Sequence, residues 1–184
     1  MNSQPEHGTG VSRRTFVIGS VATGLAAAAA AATVNSAPAD AAQSGWRYCS
    51  LCLGLFYPGN GLGVCYGNNF DGHNLGSRSY ILKFNADGGN GQGGWYYCRQ
   101  CALFHYGVGS VGNCPIGVGS RHTSYMSANY RIETTTDNDG SGGQNNWRFC
   151  AQCNGLWYNG NYSFGACPGY SGHSIGSWSY VLRY

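Results

Sequence analysis

The sequence predicts an all-β protein built from three tandem copies of one unit. The first observation is internal similarity: Trp46-Arg47-Tyr48-Cys49-Ser50-Leu51-Cys52 recurs as Trp95-Tyr96-Tyr97-Cys98-Arg99-Gln100-Cys101 and as Trp147-Arg148-Phe149-Cys150-Ala151-Gln152-Cys153. The second is the strand-like run that closes each copy: Ser79-Tyr80-Ile81-Leu82, Asn129-Tyr130-Arg131-Ile132 and Ser179-Tyr180-Val181-Leu182. The third is that residues 42–184 show no amphipathic helical period, only short aromatic and β-branched runs bounded by glycine.

Residues 1–41 stand apart from the repeats. Ser12-Arg13-Arg14-Thr15-Phe16-Val17 precedes a weakly apolar stretch, 18–34, that contains the alanine run 26–32, and Ala39-Asp40-Ala41 supplies a small-x-small cleavage pattern. This order resembles bacterial twin-arginine signal peptides, with Arg13 and Arg14 as the paired arginines. The resemblance implies cleavage after Ala41 and export of an already folded, often cofactor-loaded chain to the cell surface or the extracellular space. An uncleaved anchor is the competing reading. A stable span needs ~20 strongly apolar residues, and Gly19, Ser20, Thr23 and Gly24 interrupt this one. The mature chain is expected to carry no membrane span.

The copies occupy 42–84, 95–133 and 147–184, joined by segments 85–94 and 134–146. Both joining segments are rich in Gly, Asn and Asp, a composition that favours turns and flexible linkers. Within each copy a tyrosine follows the second cysteine by five residues (Tyr57, Tyr106, Tyr158). Then come Gly63-Val64-Cys65, Gly112-Asn113-Cys114 and Gly165-Ala166-Cys167, and after them His73, His122 and His173.

Each copy therefore holds three cysteines and one histidine in one order: Cys49, Cys52, Cys65 and His73; Cys98, Cys101, Cys114 and His122; Cys150, Cys153, Cys167 and His173. The spacing is Cys-x2-Cys-x12-Cys-x7-His in the first two copies and Cys-x2-Cys-x13-Cys-x5-His in the third. Zinc takes four tetrahedral ligands, thiolate sulfur at ~2.3 Å and imidazole nitrogen at ~2.0 Å. A Cys-x2-Cys turn supplies two sulfurs, and a later loop supplies the third and the imidazole. Such a complete shell points to a structural ion, because catalytic zinc keeps one position open for water. Three Zn2+ per chain are expected, with an iron–sulfur cluster on the same ligand types as the alternative. Disulfides are the competing reading in an oxidising compartment. Three cysteines cannot pair within a copy, nine leave one over, and the recurring histidine would have no role.

The first half of each motif resembles the knuckle hairpin of zinc-ribbon proteins, a strand, a Cys-x2-Cys turn and a second strand. Trp-x2-Cys-x2-Cys-x2-Leu also resembles repeats of secreted bacterial proteins. The second half departs from zinc ribbons, which more often repeat Cys-x2-Cys. Two arrangements fit three zinc-ribbon-like units: separate beads, or closure about a pseudo-threefold axis as in a β-trefoil. Ile, Leu, Val and Phe supply only 24 of the 143 residues from 42 to 184, which favours local metal cores. The near-equal repeat length and the closing strands allow a ring.

Trp46, Trp95 and Trp147, three residues before the first cysteine of each copy, are expected to pack over the metal hairpin. Phe56, His105 and Trp157 share one position whose character varies while its neighbours keep theirs. On a strand it faces away from both neighbours, so it is expected to be exposed and to contact ligand.

Composition limits the function. The net charge is +3 with no run of basic residues, so nucleic acid is not an expected partner. The acidic groups after residue 41 are Asp71, Asp87, Glu133, Asp137 and Asp139, none of which recurs between copies. Nucleophile elbow, metalloprotease and phosphate-loop motifs are absent from the sequence. A non-enzymatic protein is expected. The leading class is a polysaccharide- or cell-envelope-binding module, suited by fourteen Tyr, five Trp and low charge. The alternatives are a structural or self-assembling surface protein, and a metal-dependent enzyme or iron–sulfur electron carrier.

Overall fold

The computed structural model describes residues 42–136, 142–176 and 178–184. The predicted signal peptide, with Arg13 and Arg14, and the pair Asp137 and Asp139 lie outside these residues. The strands are β1 (Ala42–Cys49), β2 (Leu55–Phe56), β3 (Leu75–Phe84), β4 (Gln92–Tyr97), β5 (Phe104–Tyr106), β6 (Asn129–Thr134), β7 (Gln144–Phe149), β8 (Leu156–Tyr158) and β9 (Ser179–Leu182). Two single 3₁₀ turns, Tyr66–Asn68 and Asn85–Asp87, complete the regular structure among the described residues. No helix among them is long and apolar enough to cross a membrane.

Each copy folds alike. The first strand runs into the Cys-x2-Cys turn, the second leaves it antiparallel, and the third lies antiparallel on the other side of the first. The registers correspond: Tyr48↔Leu55 and Trp46↔Tyr80, Tyr97↔Phe104 and Trp95↔Tyr130, Phe149↔Leu156 and Trp147↔Tyr180. The residue before each tryptophan has positive φ, 89° at Gly45, 85° at Gly94 and 70° at Asn146, and the register shifts there. A bulge with a left-handed residue absorbs the extra position. Residues 92–94 and 144–146, within the segments expected to be linker, accordingly lie in β4 and β7: Gly94 and Asn146 mark a bulge inside the strand, not its end.

The copies close on one another, which decides against beads. Lys83 pairs with Arg131, Glu133 with Val181, and Ile81 bridges Arg183. A second set of bridges joins Phe56 to Leu103, His105 to Gly155 and Trp157 to Gly54. Each set links equivalent positions of successive copies and returns to the start. The result is a nearly closed, barrel-like sheet with trefoil-like threefold symmetry.

Aromatic contacts between copies supplement a small aliphatic core that includes Leu55, Leu82, Ile132, Leu156 and Leu182. Trp46, Trp95 and Trp147 have no exposed surface, as expected for packing residues. Tyr130 meets Trp46 edge-on at 5.1 Å, Tyr180 meets Trp95 at 5.3 Å and Tyr80 meets Trp147 at 5.2 Å. The same hydroxyls donate to the glutamine of the preceding copy: Tyr130 to Gln43, Tyr180 to Gln92 and Tyr80 to Gln144. Such ring pairs are worth about 0.5–1.5 kcal/mol beyond their buried area. Every one of them spans two copies.

Candidate metal centres

The Cys-x2-Cys turn is built by two backbone bonds per copy. Cys49 N–H donates to Gly54 O at 3.0 Å and Leu53 N–H to Cys49 O at 2.9 Å, with the same pattern at Cys98/Ala102 and Cys150/Asn154. Leu53, Ala102 and Asn154 close the turn at φ of 65°, 66° and 57°, a region non-glycine residues seldom occupy. Their carbonyls accept the N–H groups of Tyr158, Tyr57 and Tyr106 respectively, each from the preceding copy around the ring. The loop that returns with the third cysteine and the histidine is fixed by His73 N–H to Leu62 O at 2.9 Å and His173 N–H to Phe164 O at 2.8 Å, and in the second copy by His122 N–H to Gly112 O, one residue further on, at 3.1 Å.

The sequence-predicted ligands converge in three buried clusters. In each, the three Sγ atoms and one histidine nitrogen lie within 4.8 Å of one another. Cys49 and Cys65 sulfurs are 3.8 Å apart, as are those of Cys150 and Cys167. Cys52, Cys101 and Cys153 sulfurs lie 3.4, 3.4 and 3.5 Å from the Nδ1 of His73, His122 and His173. Tetrahedral ligation with zinc-like bond lengths requires about 3.8 Å between sulfurs and about 3.6 Å between sulfur and nitrogen. All nine cysteines are free thiols, and 3.8 Å far exceeds the ~2.05 Å of a disulfide. The donor set therefore fits a single metal ion in each copy.

Electrostatics point the same way. Hydrogen bonds from Cys52 and Cys65 hold the Cys49 thiol well below the ordinary range. Contact with Cys49, reinforced by burial, pushes Cys52 well up and Cys65 up to about 11. The other copies repeat the directions, with Cys98 and Cys150 lowered and Cys101, Cys114, Cys153 and Cys167 raised, burial leading at Cys101. Three thiols this close ionise together only if a cation sits among them.

The shell around each site comes partly from the next copy. With Nδ1 toward the ion, His73 Nε2 donates to Cys101 O at 2.9 Å and His173 Nε2 donates to Cys52 O at 2.9 Å. His122 Nε2 is buried without a partner. These bonds fix tautomer and ring orientation, as outer-shell partners of metal ligands do. Gly63, Gly112 and Gly165 are pressed against the carbonyls of Cys101, Cys153 and Cys52, where any Cβ would collide. That contact explains the glycine two residues before each third cysteine.

Phe56, His105 and Trp157 are not exposed: each has no accessible surface. They stack on the ligand histidines, Phe56 on His73 at 4.6 Å, His105 on His122 at 4.8 Å and Trp157 on His173 at 5.2 Å. They do face away from their neighbours, but that side of the strand is covered by the metal loop. No sugar ring can reach them there. Burial, then the His122 ring, lowers the His105 imidazole to about 3, and both of its nitrogens lack partners. A buried polar group without a partner costs about 1–3 kcal/mol. Phenylalanine already fits the equivalent place in the first copy. His105→Phe is accordingly expected to raise the melting temperature by ~2 °C or more, at the usual scale for a domain of this size. An unchanged or lower melting temperature by calorimetry would refute that account.

No protein-family model matches the chain, and no curated protein or solved structure is significantly similar to it. The class is defined by the geometry itself: a nearly closed β ring of three copies, each able to hold a metal ion in a complete Cys3His set.

Proposed function

We propose that this is an exported, non-enzymatic zinc protein whose ions are structural and whose task is to bind a polysaccharide or another cell-envelope component. The observation that carries the structural role is the complete, buried ligand set in every copy, which leaves substrate no coordination position. Zinc is favoured over an iron–sulfur cluster because four donors within 4.8 Å suit one ion, whereas a [2Fe–2S] cluster spreads its ligands over two irons. Elemental analysis is expected to find three zinc ions per chain and no visible absorption. A coloured, iron-containing protein would overturn this assignment.

Export rests on the resemblance of residues 12–17 to twin-arginine signals. Loading metal before export suits a protein with nine free thiols, which would otherwise cross-link in an oxidising compartment. Binding rather than catalysis is supported by the thin supply of acid–base groups. Glu133, the single glutamate after residue 41, is tied to Arg183 at 2.7 Å. Wild-type protein is expected to co-sediment with insoluble polysaccharide or isolated cell walls, and absence from every pellet would overturn the binding role. A second reading, self-assembly, is favoured by an apolar cleft of about 570 Å³ that gathers Tyr66 and Phe70, Ile116 and Val118, and Pro168 from the three metal loops. Concentration-dependent sedimentation would support it.

A further inference from the structure

The third copy departs from its companions around one cleft. This cleft, about 340 Å³, is lined by Asn146, Asn159, Gly160, Tyr162, Phe164 and Ile175. Where the third copy has Asn146, the other two have Gly45 and Gly94; where it has Asn159, they have Pro58 and Gly107. Phe164 replaces Leu62 and Val111, each one before the glycine of the Gly-x-Cys motif. The loop that carries Tyr162 is one residue longer, 159–164 against 58–62 and 107–111. The repeat pattern is thus broken at four of the six positions that line the cleft, and each of these breaks adds an amide or an aromatic ring, while Gly160 and Ile175 match Gly59 and Leu75 of the first copy.

The departures bring no gain to the core. Asn146 keeps the left-handed bulge conformation, φ 70°, that glycine adopts more easily in the other copies. Tyr162 also has positive φ, 55°, and is 99% exposed. Phe164 is half exposed, and its ring lies 6.1 Å from Trp157, which in turn stacks on His173. The half-exposed phenyl ring therefore leans on Trp157, which itself stacks on His173. Asn159 N–H donates to Asn146 O at 2.9 Å, which joins the two amide-bearing walls. None of the lining residues is charged.

Aromatic faces with amides beside them, in an uncharged open cleft at the small end of ligand-pocket sizes, suit one chemistry. The rings cover the apolar C–H face of a sugar, and the amides offer both donors and acceptors to its hydroxyls. We propose that the cleft of the third copy is the binding site for a neutral pyranose unit, one site per chain. This rests on the reading of the protein as a polysaccharide-binding module and narrows it from three equivalent positions to one.

The test compares zinc-loaded wild type with Tyr162→Ala and Asn146→Gly in sedimentation with cellulose, chitin and isolated cell walls. Both variants should fold, since Tyr162 lies outside the core and glycine is native at the equivalent bulges, and melting temperature with metal content verifies it. The expected result is binding by wild type and about a tenfold loss in Tyr162→Ala, the equivalent of one lost stacking contact, with a smaller loss in Asn146→Gly. Binding by wild type that both variants match would overturn the assignment of this cleft and leave the polysaccharide reading standing. Binding of none of the three materials by wild type would overturn both.

Discussion

Removal of the metal ions is expected to unfold the entire ring in a single transition. A structural zinc contributes ~10–16 kcal/mol in small peptides near neutral pH, as much as the ~5–15 kcal/mol net stability of an ordinary domain. This chain has three Cys3His clusters able to hold an ion, and few aliphatic residues to take their place. Four of its five tryptophans report the event well, because Trp46, Trp95, Trp147 and Trp157 are all fully buried. Treatment with a strong chelator should red-shift their emission and abolish the near-ultraviolet circular dichroism together. Acid should do the same. Each ligand thiol, with an ordinary pKa of about 8.5, must stay ionised to hold the ion, so protons displace metal and stability falls as pH falls. Native spectra in protein shown by elemental analysis to be metal-free would refute the folding role.

The second large effect concerns coupling between sites. Cys101 belongs to the Cys3His cluster of the second copy, and its carbonyl accepts both Val64 N–H and His73 Nε2–H from the first. Ala102 next to it accepts Tyr57 N–H. Cys101→Ser removes one sulfur directly and loosens the turn that supports the neighbouring site. Loss of outer-shell support typically lowers metal affinity about 10–100-fold. The variant is expected to lose the second ion outright and to hold the first at least about tenfold more weakly than wild type, measured against a competing chelator. Retention of the two other ions at wild-type affinity would show three independent sites and refute the coupling.

The metal ligands were legible in the sequence because nothing else substitutes for a thiolate or an imidazole, so their spacing recurs through three copies. The buried tryptophans were legible for a related reason: they sit at a fixed distance from the first cysteine of every turn. Ring closure was half legible. The closing strands were visible, but the partners that join them, such as Lys83 with Arg131 or Ile81 with Arg183, carry no local signal. The burial of Phe56, His105 and Trp157 was hidden by a sound rule applied too simply. Alternation puts them on the second face of a short strand, and an ordinary half-buried sheet would leave that face to water. Here the chain returns over it to deliver a histidine. The left-handed turn residues were also obscure, since Leu53 and Ala102 give no hint of that conformation and only Asn154 does. The glycine of Gly-x-Cys was visible as a repeat, yet its cause lies in the neighbouring copy.

The bonds that run from each copy to its neighbour and back to the first have a consequence for how such a chain can be assembled and varied. Every copy presents one surface and receives another, and three such contacts complete a circle. This is the heterologous arrangement of a cyclic trimer, written here on one polypeptide. The joining segments do not create the interfaces; they hold the partners at high effective concentration and fix their order. A single copy has only half of each pairing, and two copies leave a pair of unmatched edges open to a third. Fusion also releases the copies from identity. In a homotrimer a change at one position is made three times over, whereas a linked chain can keep Phe56 in one place, His105 in the next and Trp157 in the last. It can likewise exchange a bulge glycine for Asn146 in one copy while the other two preserve the ring.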